Sequence, residues 1–231
     1  MSQIEGDINE SFYLCEGIWL DSCNNILQDR FDNNKDLNFA NINDCILIFK
    51  REVENWLLEP MALLIDNDRA KKAKYFPFKN SIFALYGIFS YIEKIQRYKD
   101  GKPYTSNDPQ SSKILTYGFK QLFPEDENTQ YGNNKIKNIL KNTRHSLMHT
   151  GNIGDYVLNN NDYENINPVV YIGSSNNLQK IELNPYKMVL KIISDFNIYI
   201  VELREESNTK SREHFKLVFD AYYHHEISML S

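Results

Sequence analysis

The side chains best suited to chemistry gather between Asn134 and Gly151, in the stretch NKIKNILKNTRHSLMHTG. Arg144 and His149 form an R-x-x-x-x-H pair within it. An imidazole with a reference pKa near ~6.5 moves protons at neutral pH. A guanidinium stabilises negative charge growing on a phosphate. Together they suit attack of a ribose 2′-hydroxyl on the adjacent phosphodiester, which needs proton transfer and anion stabilisation but no metal and no cofactor. His145, beside Arg144, is a third candidate, and Lys137, Asn138, Lys141 and Asn142 are candidate contacts to nucleic acid. A bland alternative stands next to this one: Arg and His at such a separation arise easily by chance, and both could cap a helix end or face solvent. Metal binding is another. His145 and His149 are four apart, a spacing that can hold zinc. The glutamate of H-E-x-x-H is missing, however, and His214, His224 or His225 would have to complete the ligands. No metal site is assigned.

The element that must position these groups is a helix. Gly132 and Asn133 suit a turn and an N-cap, and Thr150-Gly151 suits a helix C-terminus. Ile136, Ile139, Leu140, Thr143 and Leu147 recur at helical spacing and predict a buried stripe. Asn138, Asn142, His145 and His149 fall on the far side, with Lys137, Lys141, Arg144 and Met148 between. On an ideal helix the Arg144 and His149 side chains diverge by ~140°. They converge only if the last turn unwinds, or if the cleft is shared with a second copy of the chain.

The 231 residues allow one large domain with a sizeable core, and 42% hydrophobic with 25% charged residues is ordinary for a globular protein. The net charge of −5 hides an asymmetry. Residues 1–68 carry 4 basic and 14 acidic side chains, whereas residues 69–150 carry 15 basic and 6 acidic. The candidate helix lies in that positive third, which suits a polyanion partner or, more plainly, a solvated basic face. Cys15, Cys23 and Cys45 form no C-x-x-C pair and predict reduced thiols in a cytoplasmic protein. They lie in the acidic third, a poor setting for a reactive thiolate. No apolar run approaches ~18 residues, so no membrane span is expected. The acidic, polar N-terminus does not read as a signal peptide.

Along the chain, Phe12, Cys15, Trp19 and Ile26 keep approximate helical spacing, so residues 1–41 are expected to be an extension of one helix, about Ser11–Asp29, and a loop over Phe31–Asn41. A main domain, 42–231, follows. A helix beginning near Asn43 carries Ile46, Phe49, Val53, Trp56 and Leu57 on one face, and Pro60 ends or kinks it. The segment Arg69–Lys79 mixes basic and aromatic residues. Such a mixture can contact nucleic acid, and equally suits a helix end whose rings face the core. A helix over about Asn80–Tyr98 is apolar nearly all round and therefore central. Ser111–Phe123 reads as a shorter helix. Val169–Ile172 and Leu178–Leu183 predict a β-hairpin near 168–183. Asn184-Pro185 opens the penultimate helix, and a last helix runs from about Ser211 to Tyr223. The fold class is mainly α, with one hairpin inserted before the penultimate helix.

The run Arg144–His149 resembles the signature of the HEPN domains (higher eukaryotes and prokaryotes nucleotide-binding), in which Arg, usually a polar neighbour, and then His four to six positions on stand near the end of a helix. The order of elements over roughly residues 42–206 is similar too. The resemblance implies an α-helical bundle, often dimeric, and in many members a metal-independent endoribonuclease of a toxin–antitoxin or phage-defence system. Other members are inactive or serve as binding modules. It also implies that Arg144 and His149 are the catalytic pair and His145 the polar neighbour, that RNA is the substrate, and that an antitoxin is a partner. Two positions depart from the pattern: His145 stands where Asn is commonest, and Gly151 where one toxin branch has Tyr. A structural or interaction protein, with its aromatic helices at an interface, is the reading from a different class.

Overall fold

Residues 11–21 and 26–37 form β-strands and turns, not a helix. The computed structural model describes residues 11–21, 26–71, 80–105, 108, 110–125, 132–150, 156–158, 167–174 and 177–230. β1 (Ser11–Cys15), β2 (Ile18–Asp21), β3 (Ile26–Asp29) and β4 (Lys35–Leu37) form an antiparallel meander in that order. The helix expected over Ser11–Asp29 and the loop expected over Phe31–Asn41 are both corrected by it. Helical spacing of four apolar residues misled because turns break the segment. Gly17 takes φ +76°, and Asn33 and Asn34 take φ 52° and 57°. Glycine and asparagine adopt that left-handed region most readily. The Lys35 N–H then closes the turn on the Asp32 carbonyl at 2.9 Å. Cys15, Ile18, Leu27 and Leu37 point inward and share one core with the helices. Buried Asp29 ties the sheet to the next helix through Arg51, at 2.5 Å.

α1 (Ile42–Val53) starts where Asn41 accepts the Asn43 N–H at 3.0 Å. It runs without a break into a π-turn (Glu54–Leu58) and then α2 (Glu59–Lys71). Pro60 explains the turn. It has no N–H, and its ring would strike the carbonyl four residues back, that of Trp56. The chain widens instead, and the Glu59 N–H bonds the Glu54 carbonyl five residues earlier. The widened turn changes the helical phase. Ile46, Phe49 and Val53 are buried as expected, but Trp56 leaves the expected stripe and stands 55% exposed.

α3 (Ser81–Asp100) is central, packing on α2, α4 (Ser111–Leu122), α6 (Pro185–Arg204) and α7 (Thr209–Leu230). It ends at Gly101, φ +65°, where an added Cβ would lie 3.0 Å from the His214 ring. α5 (Asn133–Thr150) lies against α4 and α3. The expected hairpin is present as β6 (Val169–Ser174) and β7 (Asn177–Leu183). A third strand, β5 (Tyr156–Leu158), runs parallel to β7 on its other edge. Three residues beside an asparagine-rich run gave no strand signal of their own. α6 opens as the sequence predicts: Asn184 accepts the Lys187 N–H at 3.1 Å, with Pro185 in the first turn. The chain is mainly helical, with two small sheets.

Candidate functional site

α5 presents the motif much as its periodicity requires. Ile136, Leu140, Thr143 and Leu147 are buried and Ile139 is half-buried. Tyr86 on α3 donates its hydroxyl to the Leu147 carbonyl and pins the C-terminal half of α5. Asn138, Lys141, Asn142, Arg144 and His145 are exposed, and Lys137 is half-buried. The helix is continuous through Thr150, so the last turn does not unwind. His149 lies in that turn, and its side chain falls outside the described residues.

Arg144 is not a loose surface cation. Its Nη1 sits 2.7 Å from Glu93 Oε2 and 3.0 Å from Ser111 Oγ. Ser111 in turn donates to Glu93 Oε1 at 2.6 Å. The same carboxylate oxygen accepts from Arg97 Nη2 at 2.7 Å. Arg97 Nη1 lies 2.6 Å from Asp108. Glu93 therefore stands between two guanidinium groups, one on its own helix and one on α5. Arg97 is only 2% exposed. A buried charge needs such partners. Burial alone lowers its pKa; the bonds to Glu93 and Asp108 outweigh that and raise it. Asp108 is held below the usual carboxylate range, first by the Gln110 N–H and then by Arg97. Arg144 keeps 45% of its side chain exposed and is the accessible end of this chain of charges.

These charges line a cavity of about 390 Å³. α3 contributes Glu93, Lys94, Arg97 and Tyr98, and α5 contributes Arg144. Glu52 of α1 and Tyr222 and Tyr223 of α7 form another wall, and Leu14 of β1 reaches in from the meander. Lys94 pairs with Glu52 at 2.6 Å, and the Tyr223 hydroxyl donates to the other Glu52 oxygen at 2.5 Å. Burial first, and then Glu52, push the Tyr223 phenol well above its ordinary pKa, so it stays a donor. Two exposed rings complete the lining: Trp56 on the π-turn and Tyr104 in the loop after α3, each 55% exposed. The Arg97 guanidinium lies 5.3 Å from the Tyr104 ring centre.

Of the sequence-predicted residues whose side chains are described, only Arg144 lines this cavity. Lys137, Asn138, Lys141, Asn142 and His145 remain on the exposed side of α5. Most of the basic segment Arg69–Lys79 lies outside the described residues. Among the described residues no group of three His, Cys, Asp or Glu could hold a metal. His214, a candidate ligand, spends Nδ1 on the Lys99 carbonyl at 2.8 Å, and the side chains of His224 and His225 lie outside the described residues. Cys15 and Cys45 are buried, and burial pushes both thiols up to about 12, which makes them poor nucleophiles. Among the described residues no helix is long and apolar enough to cross a membrane. Sequence reading missed Glu93, Arg97 and Trp56. The first two had a signal: a Glu and an Arg at i, i+4 within a helix apolar nearly all round must be paired or face a cavity. No protein-family model matches the chain, and comparisons with curated proteins and with solved structures find no match.

Proposed function

We propose that this chain is a HEPN-like, metal-independent endoribonuclease of the toxin or phage-defence type, acting in the cytoplasm as a homodimer. The observation that carries the reading is the placement of Arg144. A half-exposed guanidinium at a cavity mouth, oriented by a buried carboxylate and a hydroxyl, is pre-organised for a phosphate. His149, five residues on, takes the proton from the ribose 2′-hydroxyl. Arg144 stabilises the charge on the phosphoryl oxygens as the 2′-oxygen bonds the phosphorus, and the 5′-oxygen leaves with a proton from solvent water, giving a 2′,3′-cyclic phosphate and a 5′-hydroxyl. Positions 144 and 149 of an uninterrupted α-helix lie ~140° apart around its axis. The reading therefore pairs Arg144 of one chain with His149 of a second. His145 is the polar neighbour, and Lys137, Asn138, Lys141 and Asn142 carry the backbone of the RNA across the face of α5. An antitoxin that neutralises this positive face is the expected partner.

One observation favours a second reading, a non-catalytic HEPN-like module that binds nucleic acid or protein. Arg144 already has a carboxylate and a hydroxyl as partners, so it needs no substrate to satisfy it. Substitution decides between the two. Under the enzyme reading, Arg144→Ala and His149→Ala each slow RNA cleavage by ~10²-fold or more, and His145→Ala does less. EDTA has no effect. Metal binding by His145 and His149 predicts the reverse: chelation abolishes function and His145 matters as much as His149. A wild-type protein that cleaves no RNA across a broad panel leaves only the binding module.

A further inference from the structure

We infer that the cavity beside Arg144 is a seat for one nucleoside phosphate, with the base against the rings of Trp56 and Tyr104 and the phosphate on Arg144. This rests on the RNA reading above and specifies it: the protein grips a single unstacked nucleotide, not a duplex.

Size is the first argument. About 390 Å³ lies at the small end of the ~300–1,000 Å³ typical of small-molecule sites. It suits one nucleotide. The second argument is exposed aromatic surface. Trp56 and Tyr104 line the cavity while each remains 55% exposed, so core packing consumes neither ring, although the Arg97 guanidinium already lies over Tyr104. Base stacking on such rings is the sequence-tolerant way to hold a single strand. Trp56 reaches this position only because the π-turn forced by Pro60 takes it off the buried stripe, and π-turns of this kind are frequent at functional sites. The third argument is the sign of the accessible charge. The carboxylates sit behind the cations they hold. Arg144 and Lys94 are 45% and 25% exposed, whereas Glu93 and Glu52 are 11% and 15% exposed. An incoming ligand meets donors before it meets acceptors. A cation would face Arg144 first, and a neutral apolar ligand would strip water from Arg144 and Lys94 without replacing it. A planar ring joined to an anion fits both halves of the lining.

The test uses the full chain and intrinsic tryptophan fluorescence, with AMP, ribose 5-phosphate and an adenosine hexaribonucleotide as probes. The proposal expects saturable quenching by AMP that disappears in Trp56→Phe. Ribose 5-phosphate, which lacks the base, should bind about tenfold more weakly or worse. By titration calorimetry, Trp56→Leu, Tyr104→Leu and Arg144→Ala should each loosen AMP by about five- to tenfold. The melting temperatures of Trp56→Leu and Tyr104→Leu should stay close to wild type, because both side chains are largely exposed. Tighter binding of the hexamer than of AMP assigns the seat to RNA; equal binding assigns it to free nucleotides. No saturable binding of either probe at millimolar concentration overturns the proposal, as does an affinity for AMP indifferent to Trp56→Leu and Tyr104→Leu. The ribonuclease reading fails separately. Nucleotide binding without any RNA cleavage removes the enzyme and keeps the seat. Cleavage at the wild-type rate by a Trp56→Leu, Tyr104→Leu double variant removes the seat and keeps the enzyme.

Discussion

Glu93 holds Arg97 from its own helix, Ser111 from α4 and Arg144 from α5 with one carboxylate. The two arginines differ in what they lose without it. Arg97, almost fully buried, would keep Asp108 as its remaining charge partner. Arg144, half-exposed, would turn to water. Glu93→Ala should therefore destabilise the fold by about 3–5 kcal/mol, the scale for breaking a buried pair on one side. A denaturant midpoint shift of under ~0.5 kcal/mol would show that water already screens the pair. Glu93→Gln preserves shape and removes one negative charge next to Arg144. RNA binding should hold or tighten, while cleavage slows about tenfold because the guanidinium is no longer aimed. Equal losses in binding and turnover would mean that Glu93 acts only through folding. At this scale the sequence was half legible. Arg144 could be read because its helix has a clean apolar stripe that leaves it outside. Glu93 and Arg97 could not be placed, because an all-round apolar helix does not say which charged residues face which neighbour.

The elements differ in how plainly they announced themselves. α5 follows its apolar stripe, and α6 its stripe and its Asn184 cap, since capping and periodicity are local properties. The N-terminal meander did not, because its turns rest on Gly17, Asn33 and Asn34 in left-handed conformations, and four short strands leave no long period to read. Pro60 was seen as a break, but its actual effect, a π-turn that swings Trp56 outward, depends on how the helix beyond it is held. The junction of α3 and α4 sets the position of Ser111 against Glu93. It is close: an added Cβ at Gly118 would lie 3.0 Å from an Ile92 methyl and 3.2 Å from the Ile92 carbonyl. Gly118→Val should push α4 away and cost about 1–3 kcal/mol by overpacking. It should also reduce RNA cleavage, since Ser111 would retreat from Glu93 and Arg144. Unchanged stability and activity, measured by denaturation and a cleavage assay, would show that this junction does not position the site.

At the scale of the molecule, described residues of the strongly acidic stretch 1–68 and of the basic stretch 69–150 share one core. The acidic segment supplies Glu52 as the partner of Lys94, so part of the asymmetry is internal pairing. The basic face of α5 is different. Among the described residues Lys137 and Lys141 make no ion pair, and both lie off the apolar stripe. The charge pattern singled out α5, but the cavity beside it could not be foreseen. Its walls come from β1, α1, the π-turn, α3, the loop after it, α5 and α7, and no local pattern encodes such an assembly. The central claim is that Arg144 and His149 drive attack by the ribose 2′-hydroxyl. The most direct measurement maps a cleaved RNA bond and then compares that RNA with one carrying 2′-deoxyribose at the scissile position alone. The account predicts fragments ending in 2′,3′-cyclic phosphate from the first, in the presence of EDTA, and no cleavage at that bond in the second. Cleavage of the deoxy-substituted bond, or no cleavage of any RNA by the wild-type protein, would contradict it.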